Sequence, residues 1–158
     1  MEIIRVSKDF TTYSGRGIAD LGDFKYDKET FDEIRVGWQS VGILRRGAPQ
    51  KRLLTRGLGS CYATLGENIY GDKILGHFYS GTTKGEENEI LRKKLRLLFP
   101  WEKRYLEDFD ISYVYGENGV REKSYVYHVD VTFDREKNLW LVEKTISTNV
   151  SFSDWIKN

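Results

Sequence analysis

The sequence predicts an α+β fold, and three observations support this prediction. Alternating apolar residues in the N-terminal third, and segments rich in β-branched and aromatic side chains in the last third, are typical of strands. A single segment between them has the periodicity and the end signals of a helix. Hydrophobic residues make up 39% and aromatic residues 14% of the 158 residues, which is enough for one core, so we expect a single domain over residues 1–158.

The N-terminal third is predicted to contain strands separated by loops. Residues 2–6 form the first candidate strand, and the polar, glycine-rich residues 11–28 are predicted to be a loop. Apolar residues alternate over 34–43 but change parity, which predicts either a strand pair or one strand with a bulge near Gly42. Another strand begins over residues 52–55.

The helix is predicted to begin after Thr83. Thr83 and Glu86 have the spacing of a capping box, in which each side chain satisfies a donor at the helix start. Acidic residues come early and basic residues late, which complements the helix dipole. Leu91 and Leu95 share one face, and Pro100 ends the helix.

The last third is predicted to be an antiparallel meander. A short helical turn over residues 101–106 precedes it. Alternating apolar and aromatic residues then predict three strands, at residues 111–115, 124–133 and 139–148.

Composition excludes several classes of function. Lys and Arg number 25 and Asp and Glu 24, a net charge of +1, which argues against a general nucleic-acid binder. No apolar run is long enough for a membrane span or a secretory signal. The single cysteine excludes a disulfide framework and a cysteine-rich zinc site. We therefore expect a cytoplasmic protein, with delivery as an effector by a signal-free route as the alternative.

Cys61 is the first candidate for chemistry. It follows the glycine-rich loop G-L-G-S at residues 57–60, where the backbone N–H groups of Gly59 and Ser60 could converge on an oxyanion. His77 follows sixteen residues later, at the end of an apolar run. A nucleophilic cysteine needs such a base beside it, because a free thiol is only slightly ionised at neutral pH.

A basic stretch surrounds this loop in the sequence. No acidic residue occurs between Glu33 and Glu67, whereas six basic residues do: Arg35, Arg45, Arg46, Lys51, Arg52 and Arg56. A positive field would favour a thiolate or recruit an acidic protein surface. The alternative is an ordinary solvated basic face.

The segment T-R-G-L-G-S-C at residues 55–61, followed by G-H at 76–77, resembles the signature of the chemoreceptor glutamine deamidases called CheD. The same Thr, Cys and His arrangement is similar, more loosely, to that of the deamidating domains of the cytotoxic necrotizing factors and of Burkholderia lethal factor. The resemblance covers residues 54–79 and does not extend to the last third. It implies a layered sandwich of mixed or antiparallel sheets with outer helices.

Carried over to this chain, the resemblance implies that Cys61 is the nucleophile, His77 the general acid and base, and Thr55 the residue that supports the imidazole. The implied reaction hydrolyses a glutamine carboxamide of a protein substrate to glutamate through a thioester. No metal or cofactor is implied. An amine in place of water would give transglutamination, which the same residues would support.

Two other functions stay open. Papain-like amidases place a cysteine at a helix start and a histidine on a distant strand, which would use Cys61, His128 and either Asp130 or Asn138. The chain's ten tyrosines and four tryptophans would also suit a protein-binding module without catalysis. Cys61→Ala separates the two classes, because a binding module should tolerate it and an enzyme should lose turnover.

Overall fold

The computed structural model describes residues 1–13, 24–116 and 125–150. In this part of the chain, two β-sheets and one α-helix form three layers. In chain order, the elements are β1 Ile3–Tyr13, β2 Lys28–Glu29, β3 Glu33–Val36, β4 Ser40–Leu44, β5 Arg52–Thr55, β6 Tyr62–Glu67, β7 Lys73–Phe78, α1 Lys84–Leu98, a short 3-10 turn Leu106–Asp108, β8 Asp110–Tyr115, β9 Tyr125–Asp134 and β10 Leu139–Val150.

The two sheets differ in strand direction. The six-stranded sheet has the order β1-β10-β9-β5-β3-β2 and is mixed, because β1 runs parallel to β10 and β3 runs parallel to β5. The four-stranded sheet has the order β4-β7-β6-β8 and is antiparallel throughout.

Alternation along the strands creates two cores. Between the sheets, buried side chains such as Leu65 of β6 and Phe133 of β9 form one cluster. On its other face, the four-stranded sheet packs against α1 through Phe78, Leu91 and Leu95. Since successive side chains of a strand point to opposite faces, odd-numbered residues of β6 and β7 lie on the inter-sheet side.

Helix α1 begins as the sequence predicts. The Thr83 hydroxyl accepts the Glu86 N–H at 3.2 Å and donates to the Glu86 carboxylate at 2.9 Å. At the other end, the N–H of Phe99 bonds to the Leu95 carbonyl, one residue before Pro100. The capping pair and the proline therefore set the length of the only α-helix among the described residues.

The predictions for the N-terminal third need correction. Part of the predicted loop is strand, since β1 continues to Tyr13 and β2 begins at Lys28; residues 14–23 lie outside the described part. Strands β3 and β4 are neither a pair nor one bulged strand, because they belong to different sheets. The chain crosses between the sheets at Gly37, where an added Cβ would lie 2.6 Å from the Tyr26 backbone.

The predicted meander is also wrong. Strands β9 and β10 form the expected antiparallel pair, but β8 joins the other sheet beside β6. Alternation along a strand shows that one of its faces is buried, but not which sheet it joins. A strand of either sheet can bury that face in the inter-sheet core. The helical turn predicted at residues 101–106 occurs instead at Leu106–Asp108, as a 3-10 turn.

The predicted fold class is confirmed: the chain is an α+β sandwich of a mixed and an antiparallel sheet with an outer helix. Among the helices of the described ranges, none has the length and the apolar character needed to cross a membrane.

Candidate active site

Two predicted site residues meet between the sheets. Thr55 is the last residue of β5 in the six-stranded sheet, and His77 lies in β7 of the four-stranded sheet. The Thr55 Oγ1 and the His77 Nδ1 are 2.7 Å apart, and both side chains are fully buried. The structure therefore brings Thr55 and the imidazole of His77 together, as the resemblance implies.

The hydrogen bonds of Thr55 determine which ring nitrogen carries the proton. The Thr55 hydroxyl has one proton and donates it to the Val36 carbonyl at 2.8 Å. It can therefore only accept from His77, so Nδ1 must be the protonated nitrogen. The Nε2 atom of the neutral ring then carries a lone pair.

The Nε2 atom of His77 is buried, and no described residue forms a hydrogen bond with it. Burial lowers the pKa of His77 to about 4, so the ring is neutral at pH 7. Buried polar atoms normally have a partner, and an exception calls for an explanation. A nitrogen kept to accept a proton during a reaction is one such explanation.

Cys61 packs against the inter-sheet core, which is the side of the four-stranded sheet that carries His77. It precedes β6 by one residue and Ala63 by two, and Ala63 is the direct cross-strand partner of His77. Cys61 and His77 are thus diagonal neighbours, whose Cβ atoms are typically about 7–8 Å apart. The cysteine itself is half-buried.

The loop before Cys61 is fixed at several points. Gly57 has a φ of 80°, a conformation that favours glycine. The Leu58 N–H bonds to the Val129 carbonyl at 2.9 Å, and the Gly116 N–H bonds to the Cys61 carbonyl at 2.8 Å. Gly116 packs so closely that an added Cβ would lie 2.3 Å from the Gly59 carbonyl oxygen.

This loop geometry changes the predicted oxyanion site. The Gly59 N–H already donates to the Gly57 carbonyl at 2.9 Å, so it does not point to a substrate oxygen. No described residue accepts a hydrogen bond from the Ser60 N–H. Of the two loop residues that the sequence suggested, Ser60 is therefore the one that still offers a donor.

Asp130 anchors the loop, a role that the sequence did not indicate. Its carboxylate accepts the Gly57 N–H at 3.1 Å and lies 2.9 Å from the Nε2 of His128. Asp130 and His128 are both on β9, two residues apart. The sequence shows only that His128 and Asp130 are two residues apart on one strand face. That spacing does not reveal the contact of Asp130 with the loop before Cys61.

The papain-like alternative loses its structural basis. It required Cys61 to open a helix, but the residue leads into strand β6. Asn138 has a φ of 52° and lies in the turn between β9 and β10, past the end of β9 that is remote from His128. His128 and Asp130 are instead occupied with each other and with the loop.

A cavity of about 420 Å³ opens beside Cys61. Its lining includes Ser60, Cys61 and Lys84. It also includes three tyrosines whose ring centroids lie 6.0–6.4 Å apart: Tyr62, Tyr113 and Tyr115. A larger cavity of about 480 Å³ includes none of the predicted site residues in its lining. The lining of the cavity beside Cys61 includes neither His77 nor Thr55, since Tyr62 belongs to the face that packs against α1 and His77 to the inter-sheet face. The cavity is the candidate substrate site because Cys61 and Ser60 line it.

One buried carboxylate organises the wall of this cavity. Glu87 of α1 is 1% exposed and accepts the Thr64 hydroxyl at 2.6 Å and the Lys84 ammonium at 3.0 Å. Burial, together with the negative charge of Glu87, raises the pKa of Tyr62 to about 12. Tyr62 therefore remains a neutral hydroxyl at physiological pH.

The basic stretch does not surround Cys61. Arg35 and Arg52 both bind the Glu33 carboxylate, each at 2.9 Å, on the six-stranded sheet. None of the six basic residues lines the cavity beside the cysteine. The ammonium of Lys84, which lies outside that stretch, is in the cavity instead, so sequence proximity identified the wrong cations.

Comparison with known proteins adds no assignment. No family model matches the chain, and no curated protein matches it. Within the described ranges, no group of three or more His, Cys, Asp or Glu side chains is placed to hold a metal ion.

Proposed function

We propose that this protein is a cysteine-dependent protein glutamine deamidase, related to the CheD-like and toxin-type deamidases. Its substrate is a glutamine side chain of another protein, which it converts to glutamate in the cytoplasm. Cys61 is the nucleophile and His77 the acid and base, and Thr55 holds the imidazole. One observation carries the proposal: a buried histidine has its Nδ1 proton fixed by Thr55 and its Nε2 atom left open on the face that holds Cys61.

The first half-reaction forms a thioester. The Cys61 sulfur attacks the carboxamide carbon while its proton moves to Nε2 of His77. The Ser60 N–H stabilises the oxyanion of the tetrahedral intermediate. Nε2 then returns the proton to the amide nitrogen, the carbon–nitrogen bond breaks, and ammonia leaves.

The second half-reaction restores the enzyme. A water molecule gives a proton to Nε2 as its oxygen attacks the thioester carbon. The carbon–sulfur bond breaks, the product is a glutamate side chain, and the proton returns to the sulfur. The net reaction consumes one water and releases one ammonia, so it needs no redox partner.

The tautomer supports this role for His77. A general base needs an unprotonated nitrogen that faces the nucleophile, and the Thr55 bond supplies it without a carboxylate in the dyad. Because burial holds the pKa of His77 at about 4, the ring accepts a proton only transiently. The protonated ring is therefore a strong acid, which favours return of the proton to the leaving nitrogen.

The first experiment measures alkylation of Cys61 by iodoacetamide between about pH 5 and pH 10. Since the chain has one cysteine, the rate reports this residue alone. Because His77 is neutral across this range, we expect it to take the thiol proton as the sulfur attacks, so the wild type should react faster than His77→Gln at about pH 5–8. The His77→Gln variant should follow an ordinary thiol with a pKa of about 8.5. Identical ordinary profiles for both proteins would overturn the dyad and favour a binding module.

The second experiment measures ammonia release from glutamine-bearing peptides, together with the mass change from amide to acid. Cys61→Ser is the matched control, because it keeps the size of the side chain and removes the thiolate. Release that is unchanged in this variant would contradict the proposed nucleophile.

A further inference from the structure

The cavity beside Cys61 has a charge pattern that the proposed reaction does not use. Two charged residues of the described chain line it, Lys84 and Glu87. The Glu87 carboxylate is almost fully buried, whereas the Lys84 side chain is 65% exposed. A molecule that enters the cavity therefore meets the ammonium rather than the carboxylate.

Lys84 is held in place rather than extended into solvent. Its ammonium lies 3.0 Å from Glu87 Oε2, hydrogen bonds to the Tyr113 hydroxyl and sits 4.6 Å from the centroid of the Tyr113 ring. These contacts involve two of the three N–H donors of the ammonium. The remaining donor is available to a ligand, and the group is already oriented for it.

The carboxylate of Glu87 has little capacity left for a ligand. It accepts the Thr64 hydroxyl at 2.6 Å and also receives Lys84 and the Tyr113 hydroxyl, the latter at 3.4 Å. Its role is to fix the cavity wall. A second cation would find the charge of Glu87 already compensated by Lys84. An anion or a carbonyl oxygen would find the remaining N–H donor of Lys84.

We propose that Lys84 forms a recognition subsite for a carboxylate of the protein substrate, from an acidic residue close to the target glutamine. This inference rests on the proposed function, since it deepens the choice of substrate at the same site. The hydroxyl of Ser60, in the same lining, adds a donor that suits a carboxylate, whereas the Thr82 hydroxyl already donates to Gln39 Oε1. The deamidase therefore prefers glutamines in an acidic context.

The test compares two alkylating reagents of similar size, the anion iodoacetate and the neutral iodoacetamide. Their rate ratio at Cys61 cancels the fraction of thiolate and reports how the cavity treats a carboxylate. At low salt, we expect Lys84→Met to lower this ratio about threefold to tenfold, as expected for removing a unit charge within one Debye length. Lys84→Arg should retain most of the ratio, and Lys93→Met, an exposed change on the same helix, should leave it unaltered.

The wild type provides a check that does not depend on folding of a variant. Its iodoacetate to iodoacetamide ratio should exceed that of N-acetylcysteine amide at low salt and approach it as salt is added. A ratio equal to that of the free thiol, or one unaffected by Lys84→Met, would overturn the subsite.

A peptide experiment then tests the substrate directly. Three blocked peptides that differ only in the residue after glutamine, as Glu, Gln or Lys, are compared for protection of Cys61 from iodoacetamide. We expect the Glu peptide to protect at the lowest concentration and to lose its advantage in Lys84→Met. Equal or stronger protection by the Lys peptide would contradict the proposal.

Failure of the two proposals is distinguishable. An ordinary thiol profile that His77→Gln does not change would overturn the deamidase but not the reagent ratio, because an ordinary thiol is also alkylated. Conversely, a reactive Cys61 with a neutral ratio would retain the deamidase and remove the acidic preference.

Discussion

The two histidines of this chain are both buried, yet their partners assign them different tasks. His77 donates its Nδ1 proton to a hydroxyl, Thr55, and keeps Nε2 open on the side of Cys61. His128 lies 2.9 Å from a carboxylate, Asp130, which also holds the N–H of Gly57. The two rings therefore differ in what holds them: a hydroxyl fixes His77 between the sheets, whereas the carboxylate beside His128 also anchors the loop that leads to Cys61.

The difference in role between the two histidines is tested most directly by replacing each of them with glutamine. Because His77 is the proposed acid and base, His77→Gln should reduce glutamine hydrolysis by about 10²–10⁴. His128→Gln should cost less than about tenfold, since it affects only the support of the loop. Ammonia release from one glutamine peptide, measured for both variants at equal folded concentration, checks this order. Comparable losses in the two variants would contradict the division of tasks.

The acid stability of the protein should report the buried, neutral state of His77. Its pKa is about 4 in the folded chain and about 6.5 in the unfolded chain, so below pH 6.5 the unfolded state binds a proton that the folded state refuses. The free energy of unfolding should therefore fall by about 3 kcal/mol as the pH drops from 6.5 to 4.

The measurement is urea unfolding across this pH range for the wild type and for His77→Gln. Other titrating groups contribute to both proteins, so their difference isolates His77. A difference that does not vary with pH would show that His77 is not a depressed, buried imidazole.

Removing the hydroxyl partner of His77 should have the next largest effect. Thr55→Val keeps the shape of the side chain but leaves the Val36 carbonyl and the His77 Nδ1 without their shared partner, which should cost about 1–3 kcal/mol of stability. It should also slow catalysis, because the tautomer is no longer fixed. Thr55→Ser keeps the hydroxyl and should recover most of both losses. If the Val and Ser variants were equally stable in denaturant and equal in turnover, the hydroxyl of Thr55 would have no role in supporting His77.

The smallest change is expected at the partner of His128. Asp130→Asn keeps an oxygen acceptor for the Gly57 N–H and removes only its charge, so it should cost about 1 kcal/mol or less. Asp130→Leu removes the acceptor as well and should cost more, with slower turnover because the Cys61 loop is less firmly held. Unfolding and peptide hydrolysis of the two variants should separate anchoring from charge. A larger loss in the Asn variant than in the Leu variant would contradict the anchoring role.

Local signals in the sequence predicted the helix and most strands, whereas the association of Thr55 with His77 was implied by the family resemblance. The capping pair at Thr83 and Glu86 is local, and hydrogen bonds between near neighbours follow from it directly. The sequence could not assign β4 and β8 to the second sheet, because strand pairing depends on contacts between distant residues.

The surroundings of the site were also beyond local patterns. The basic stretch in the sequence includes Arg35 and Arg52, but both side chains bind Glu33 in the fold. Lys84, which does line the cavity, belongs to a helix that follows the site in sequence. The anchoring contact between Asp130 and Gly57 joins residues far apart in the chain. Such contacts become visible only when both sheets are in place.

The bond between Thr55 and His77 also links two sheets whose last strands are synthesised at different times. Every strand of the four-stranded sheet is made once the ribosome has passed Tyr115, so Cys61 and His77 can become neighbours early. Strand β5, which carries Thr55, waits for β9 and β10 to complete its side of the sandwich. A chain synthesised only as far as β8 would lack the strands that pair with β5, so we expect the Thr55–His77 bond to form only after β9 and β10 have been made.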